Sequence, residues 1–216
     1  SIYHTLQIKA ERRWANGLQF LVSYTNSKMI DDASVDNDIA LDPRNLRLER
    51  SLSTYDVAQR LSLSGTYTLP AFSQSGAFAR HALGGWMLGG IATFRSGLPY
   101  TPMWSGAVPN TGVGTVRPNR IASGKLDNPT VDRWFDAGAF GAPEQYTYGN
   151  SGRNILRMDG VSNVDFSICK DFSLGEERRL QFRVELFNAL NHPDFGLPAV
   201  NVNTPQVGVV RTASDP

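Results

Sequence analysis

Hydrophobic and polar positions alternate along much of the chain. In Arg179–Leu186, Leu180, Phe182, Val184 and Leu186 fall on one side of an extended backbone. Arg179, Gln181, Arg183 and Glu185 fall on the other, because side chains in a strand repeat every two residues. Four charged or amide groups in a row cannot be buried dry without partners, so this face is expected to meet water or a water-filled space. The same pattern sets His4, Leu6, Ile8 and Ala10 against Thr5, Gln7, Lys9 and Glu11, and Leu18, Phe20, Val22 and Tyr24 against Gln19, Leu21, Ser23 and Thr25. It recurs with Leu61, Leu63, Gly65, Tyr67 and Leu69 against Arg60, Ser62, Ser64, Thr66 and Thr68, and with Val164, Phe166 and Ile168 against Asn163, Asp165, Ser167 and Cys169. The alternation is less clean over Trp86–Arg95 and weak over 206–211.

These runs predict strands at 3–13, 18–27, 59–69, 86–95, 162–172, 179–188 and 206–211, with no long helix. The fold class expected is all-β, an antiparallel meander of about seven strands. Ala15-Asn16-Gly17 is a hairpin signal, and Gly175-Glu-Glu177 reads as a second tight turn. The segments 28–55 and 97–160 read instead as long loops. A structureless stretch of that length is unusual in a compact soluble domain, whereas short turns at one end and long loops at the other suit an outer-membrane barrel. Aromatics near the strand ends (Tyr3, Trp14, Tyr24, Tyr67, Phe72, Trp86, Phe94, Tyr100) fit interfacial girdles, and equally the general liking of strands for aromatics.

Composition narrows the reading. The chain has 216 residues, 21 Lys plus Arg and 20 Asp plus Glu, for a net charge of +1. It lacks the clustered positive excess of a nucleic-acid surface. Mean hydropathy is -0.28, and no apolar run approaches the roughly 20 residues of a membrane helix; barrel strands, half polar, escape that criterion. Cys169 is the only cysteine, so no internal disulfide is expected. The first residues carry no basic and apolar leader pattern, and both ends read as internal to a longer chain.

An ordered set of short motifs then becomes informative. It comprises Tyr3-His-Thr-Leu-Gln-Ile-Lys9, Gly17-Leu-Gln-Phe-Leu-Val-Ser-Tyr-Thr-Asn-Ser-Lys28 with Ile30-Asp31-Asp32, Tyr55-Asp56, Gln59-Arg60, Gly85-Trp86, Arg95-Ser-Gly-Leu-Pro99 and Arg117-Pro-Asn119. It continues with Trp134-Phe-Asp136, Ala139-Phe140, Gly149-Asn-Ser-Gly-Arg-Asn154, Asn163-Val-Asp165, Leu180-Gln-Phe-Arg-Val-Glu-Leu-Phe-Asn188 and Asn191-His192. Taken together, the chain resembles the C-terminal barrel region of TonB-dependent outer-membrane receptors of the Oar-like group, abundant in Acidobacteria. The resemblance implies a barrel of about 22 strands around an N-terminal plug, of which this chain is roughly the last third. The plug with its energy-coupling box, and a final strand ending in an aromatic, are not in this sequence. On that reading the partners are outer-membrane lipid, the remaining barrel strands and plug of the parent chain, and a carbohydrate or siderophore-like ligand. Nucleic acid is not among them. The location implied is the outer membrane of a Gram-negative bacterium.

Candidate sites follow from chemistry and from this reading. Lys9, Glu11, Arg60, Gln181, Arg183 and Glu185 are expected to line the lumen. Exposed aromatics of the long loop, Trp104, Trp134, Phe135, Tyr146 and Tyr148, are candidates for stacking on a sugar or other flat ligand; the alternative is that they pack the loop on itself. Asp31, Asp32, Asp36 and Asp38, with Asp42 nearby, offer hard oxygens to calcium, although the EF-hand glycine and terminal Glu are absent, and a solvated acidic loop explains them too. His4, His81 and His192 lack zinc-ligand spacing. No Gly-x-Ser-x-Gly elbow occurs, Ser75 lacking the leading glycine, and Cys169 beside Asp165 and Asp171 is a poor nucleophile. No catalytic residue is assigned. A second class of function remains open on alternation alone: a soluble β-sandwich serving as a binding module or a carbohydrate-active hydrolase, its apolar faces buried against one another.

Overall fold

The structure is a computed structural model that describes residues 1–34, 40–71, 76, 82, 84–106, 115–174 and 178–214. Six long strands form one sheet: β1 (Ile2–Ala15), β2 (Leu18–Asp31), β3 (Gln59–Thr68), β4 (Trp86–Arg95), β5 (Val161–Ser173) and β6 (Arg179–Leu186). Each pairs antiparallel with its neighbours in sequence, so the sheet is an uninterrupted meander. A two-residue strand, Ser51–Leu52, adds to the loop end of β2. The chain is all-β, as its alternation predicts.

Local chemistry fixes the first hairpin. Asn16 and Gly17 have φ of 53° and 78°, the left-handed pair that a type I′ turn requires. A Cβ at position 17 would also lie 2.5 Å from the Thr68 carbonyl oxygen, so glycine alone fits. At its other end the sheet stops where Asn188 turns left-handed at φ 44°. Its side chain accepts from the His192 backbone N–H at 3.1 Å and donates to the His192 carbonyl at 3.1 Å. β6 accordingly ends at Leu186, short of the expected 188.

Three sequence expectations need correction. The segment 206–211 is not a strand: turns through 208 lead into irregular backbone, with Val207 and Val209 N–H groups bonded to the Thr204 and Gln206 carbonyls. Its alternating valines reflect Val207 packing on a nearby core. The segment 97–160 is not structureless: short two-residue ladders join Pro99–Tyr100 to Leu156–Arg157, Asn119–Arg120 to Phe140–Gly141, and Trp104–Ser105 to Thr115–Val116. The turn expected at 175–177 lies outside the described residues.

The third correction concerns the core. Its buried centre is Tyr100, Phe135, Ala139, Phe140 and Leu156, with Trp134, Ile155, Met158, Val200, Val202 and Val207 packed around it. These residues belong to the long 97–160 connection and to the segment after β6, which together form a compact cap at the loop end of the sheet. Phe135 meets Phe140 at 6.0 Å with planes at 77°, the edge-on contact favoured by aromatic quadrupoles, and Tyr100 at 6.0 Å in a tilted arrangement. The sheet itself has no second layer among the described residues; the remaining ladders there are two-residue pairs. All fourteen residues of β1 and all eight of β6 are exposed. The sandwich alternative, which needs one sheet packed on another, is therefore not what this chain forms.

Candidate functional site

Directly opposed residues in neighbouring strands share a face, so the register sorts every side chain of the sheet. One face carries the rows Ile8–Tyr24–Leu61–Phe94, Ala10–Val22–Leu63–Ala92–Val164, Phe20–Gly65–Gly90–Phe166–Leu186 and Leu18–Tyr67–Leu88–Ile168–Val184. It is apolar across the six strands apart from Arg12 of β1, which opposes Phe20, and Ser162 of β5, which opposes Phe94. Toward the turn end it closes on Trp86, Phe172 and Phe182, with Trp86 and Phe182 edge-on at 6.0 Å. Lys170 enters this face with its ammonium 5.2 Å above the Trp86 ring and 3.2 Å from the Ala82 carbonyl. Lys170 is buried, and its charge is met by the Ala82 carbonyl and the aromatic rings, as a cation over aromatic faces allows. β3 and β4 have ten residues each, within the roughly 9–11 that a tilted membrane-spanning strand needs.

The opposite face is polar. Its rows read Gln7–Thr25–Arg60–Arg95, Lys9–Ser23–Ser62–Thr93–Asn163, Glu11–Leu21–Ser64–Ile91–Asp165 and Gln19–Thr66–Gly89–Ser167–Glu185. Toward the turns follow Cys169–Arg183 and Asp171–Gln181. All six residues expected to line a lumen, Lys9, Glu11, Arg60, Gln181, Arg183 and Glu185, lie on this one face. A cavity of about 570 Å³ opens on it, bordered by Lys9, Glu11, Gln19, Ser64, Thr66 and Ser167. Most of its carboxylates are engaged locally. Glu11 meets Lys9 at 2.9 Å, Glu185 meets Arg183 at 3.3 Å, Asp171 accepts from Gln181 at 2.9 Å, and Asp165 accepts from the Asn188 backbone N–H at 3.0 Å.

Three arginines of the 97–160 segment fasten the cap to the strand ends. Arg117 forks onto Glu49 with bonds of 3.0 and 3.1 Å, both residues buried. Arg153 pairs with Asp31 at the end of β2 and donates to the carbonyls of Glu49 and Asp31. Arg157 pairs with Asp56 and donates to the Asp56 and Gly97 carbonyls. Asp56 in turn accepts from the Met29 N–H. Asn154, left-handed at φ 55°, bridges Thr101, Thr54 and the Leu52 carbonyl. Burial works against the charge of Asp31, but hydrogen bonds from Ser53, Arg153 and Ser34 outweigh it and hold the carboxyl below its ordinary range. Asp31 stands seven residues beyond Tyr24, roughly 23 Å along the strand from the last aromatic of the apolar band on β2. It belongs to the cap.

The structure relocates the other sequence candidates. Asp31 is committed to Arg153, Asp32 is exposed, and Asp42 is held by Arg44. Asp36 and Asp38 lie outside the described residues, as do Phe72, Ser75 and His81. No group of three or more His, Cys, Asp or Glu able to hold a metal is found among the described residues. Of the loop aromatics, Phe135 is only 2% exposed, at the centre of the cap core and closed to a solute. Trp134 packs on that core and donates to the Arg157 carbonyl at 3.1 Å. Trp104 and Tyr148 are half-buried, while Tyr146 stands 69% exposed. The carboxylate–guanidinium clamps were not anticipated from sequence. Of their residues, Arg117 and Arg153 sit inside the motifs Arg117-Pro-Asn119 and Gly149–Asn154, and Asp31 and Asp56 inside Ile30-Asp31-Asp32 and Tyr55-Asp56, whereas Arg157 and Glu49 lie outside the motif set.

One sheet with a broad apolar band on one face, an opposite polar face, short turns and a capped loop end is the architecture of a membrane β-barrel wall. The sequence profile of the outer membrane beta barrel domain matches residues 1–216. The chain belongs to that family, and its place is the outer membrane. No curated protein and no solved structure gives a match. No helix among the described residues is long and apolar enough to cross a membrane; in this family the strands do so.

Proposed function

We propose that the chain forms part of the wall and the outer cap of a TonB-dependent transporter in a Gram-negative outer membrane. The apolar face meets lipid, the polar face borders an aqueous lumen, and the cap stands on the extracellular side, where solute arrives. The observation that supports this most is the register, which keeps six strands in phase so that the charges on the apolar face are confined to its margins, Lys28 at the loop end and Arg12 and Lys170 toward the turn end. β1 and β6 each leave one edge unpaired, and unpaired backbone groups are not tolerated in lipid. Further strands of the parent chain therefore close on both edges, around a plug that gates the lumen. The solute class is carbohydrate or siderophore-like, with exposed Tyr146 the aromatic of the cap best placed to meet it.

Planar-bilayer recording of the full-length parent protein tests this reading. A plugged transporter shows no steady conductance until strong urea loosens the plug, and then opens large channels. Steady ion conductance without denaturant would instead make the protein an open porin.

A further inference from the structure

Arg60 of β3 and Arg95 of β4 are directly opposed partners in the register and therefore neighbours on the polar face. Like charges facing one another across a strand pair are destabilising, so a wall rarely keeps such a pair without something to neutralise it. Among the described residues neither guanidinium has an ion-pair or hydrogen-bond partner. The carboxylates of the same face are engaged elsewhere: Glu11 with Lys9, Glu185 with Arg183, Asp171 with Gln181 and Asp165 with Asn188.

The surroundings supply donors. Gln7 and Thr25 continue the row of Arg60, and Ser23, Ser62, Thr93 and Asn163 form the next row inward. The level is also informative. On the apolar face the matching row is Tyr24–Leu61–Phe94, at the loop-end limit of the apolar band, since the next row outward contains Asn26 and Gln59. Just beyond it Gln59 and Ser96 are joined by two hydrogen bonds, and Arg157 of the cap binds the Gly97 carbonyl. The arginine pair thus sits where the wall passes beneath the cap, the first charged station for a solute entering from the loop side.

Resting on the reading of this face as a lumen, we infer that Arg60 and Arg95 form an oxyanion-binding clamp for the phosphate or carboxylate group of an entering solute. Two guanidiniums present planar forks suited to an oxyanion, and the ring of hydroxyl and amide donors completes the shell. Binding removes the repulsion that the free pair carries, so occupancy stabilises the wall.

The test uses the full-length protein in detergent with inorganic pyrophosphate as the probe, read by thermal unfolding against chloride at matched ionic strength. A ligand that binds only the folded state raises Tm. The expected result is a rise with pyrophosphate that either R60Q or R95Q reduces, the apparent affinity falling roughly tenfold for the loss of one charge-assisted fork, while R12Q, on the other face, retains it. No rise in the parent protein, or an equal rise in R60Q and R95Q, overturns the clamp. So does a large loss of Tm in R60Q or R95Q without pyrophosphate, which would mean that a carboxylate of the protein already occupies the pair. Labelling of Ser62→Cys, in a protein whose Cys169 is replaced by serine, by a membrane-impermeant maleimide separates the two claims. Labelling without a pyrophosphate effect ends the clamp alone, whereas no labelling ends the lumen reading on which it rests.

Discussion

Arg153 reaches Asp31 across 122 positions of sequence and binds both its carboxylate and its backbone carbonyl. The contact ties the last turn of the long β4–β5 connection to the end of β2, and with it the cap to the wall. Both partners are buried, so losing one leaves the other's buried charge without its counter-ion.

Arg153→Ala is therefore expected to cost the cap about 3–5 kcal/mol, the range for breaking a buried pair by removing one side. The sheet should remain folded, because its ladders do not involve Arg153. Limited proteolysis of the refolded protein checks this: cleavage within 97–160 should appear while the strands stay protected.

The same pair gives a pH dependence. The Asp31 carboxyl is held below its ordinary value in the folded state, so its contribution is fully present above the unfolded pKa of about 3.9 and is lost as pH falls through the lower folded value. Hydrogen exchange of the cap should accelerate as pH drops below about 4, after correction for intrinsic rates. In D31N the cap should exchange faster at neutral pH and show a flatter acid response. An equal acid response in D31N would assign the effect to another carboxylate.

Gly97 is required by a close approach. A Cβ there would overlap the Met158 carbonyl oxygen, where the two ends of the β4–β5 connection meet and Met158 N–H bonds the Leu98 carbonyl at 2.9 Å. Gly97→Ala must push backbone aside, which predicts a loss of about 1–3 kcal/mol read as a lower unfolding temperature of the cap, with Gly138→Ala, where a Cβ meets nothing nearer than 3.5 Å, much milder.

The strands, the Asn16–Gly17 turn and the shared face of Lys9, Arg60 and Glu185 were legible because they are local. A period of two and a left-handed turn pair are written in adjacent residues. What was hidden is long-range. Asp31 sits in an acid-rich loop that suggests calcium, and only the folded chain brings Arg153 to it. Phe135 looks like an exposed loop aromatic until the ladders of 97–160 enclose it. Val207 and Val209 alternate like a strand, yet turns bonded to the Thr204 and Gln206 carbonyls break the run, and Val207 packs on the cap core.

The face assignment is also directional. Val22 and Ser23 are adjacent in β2 and point to opposite sides. Val22→Arg places a guanidinium on the lipid face and should cost about 2–4 kcal/mol near the midplane, whereas Ser23→Arg should be nearly neutral. Equilibrium folding of the parent protein into lipid vesicles measures both.

The most direct test of the account is a cysteine scan along β2 in the full-length protein in outer-membrane vesicles, with Cys169 replaced by serine. A membrane-impermeant maleimide should label cysteines at Gln19, Leu21, Ser23 and Thr25 and spare those at Phe20, Val22 and Tyr24, a period of two in phase with the polar face. Uniform labelling, or labelling of the apolar set in place of the polar one, would contradict a wall with lipid on one side and water on the other.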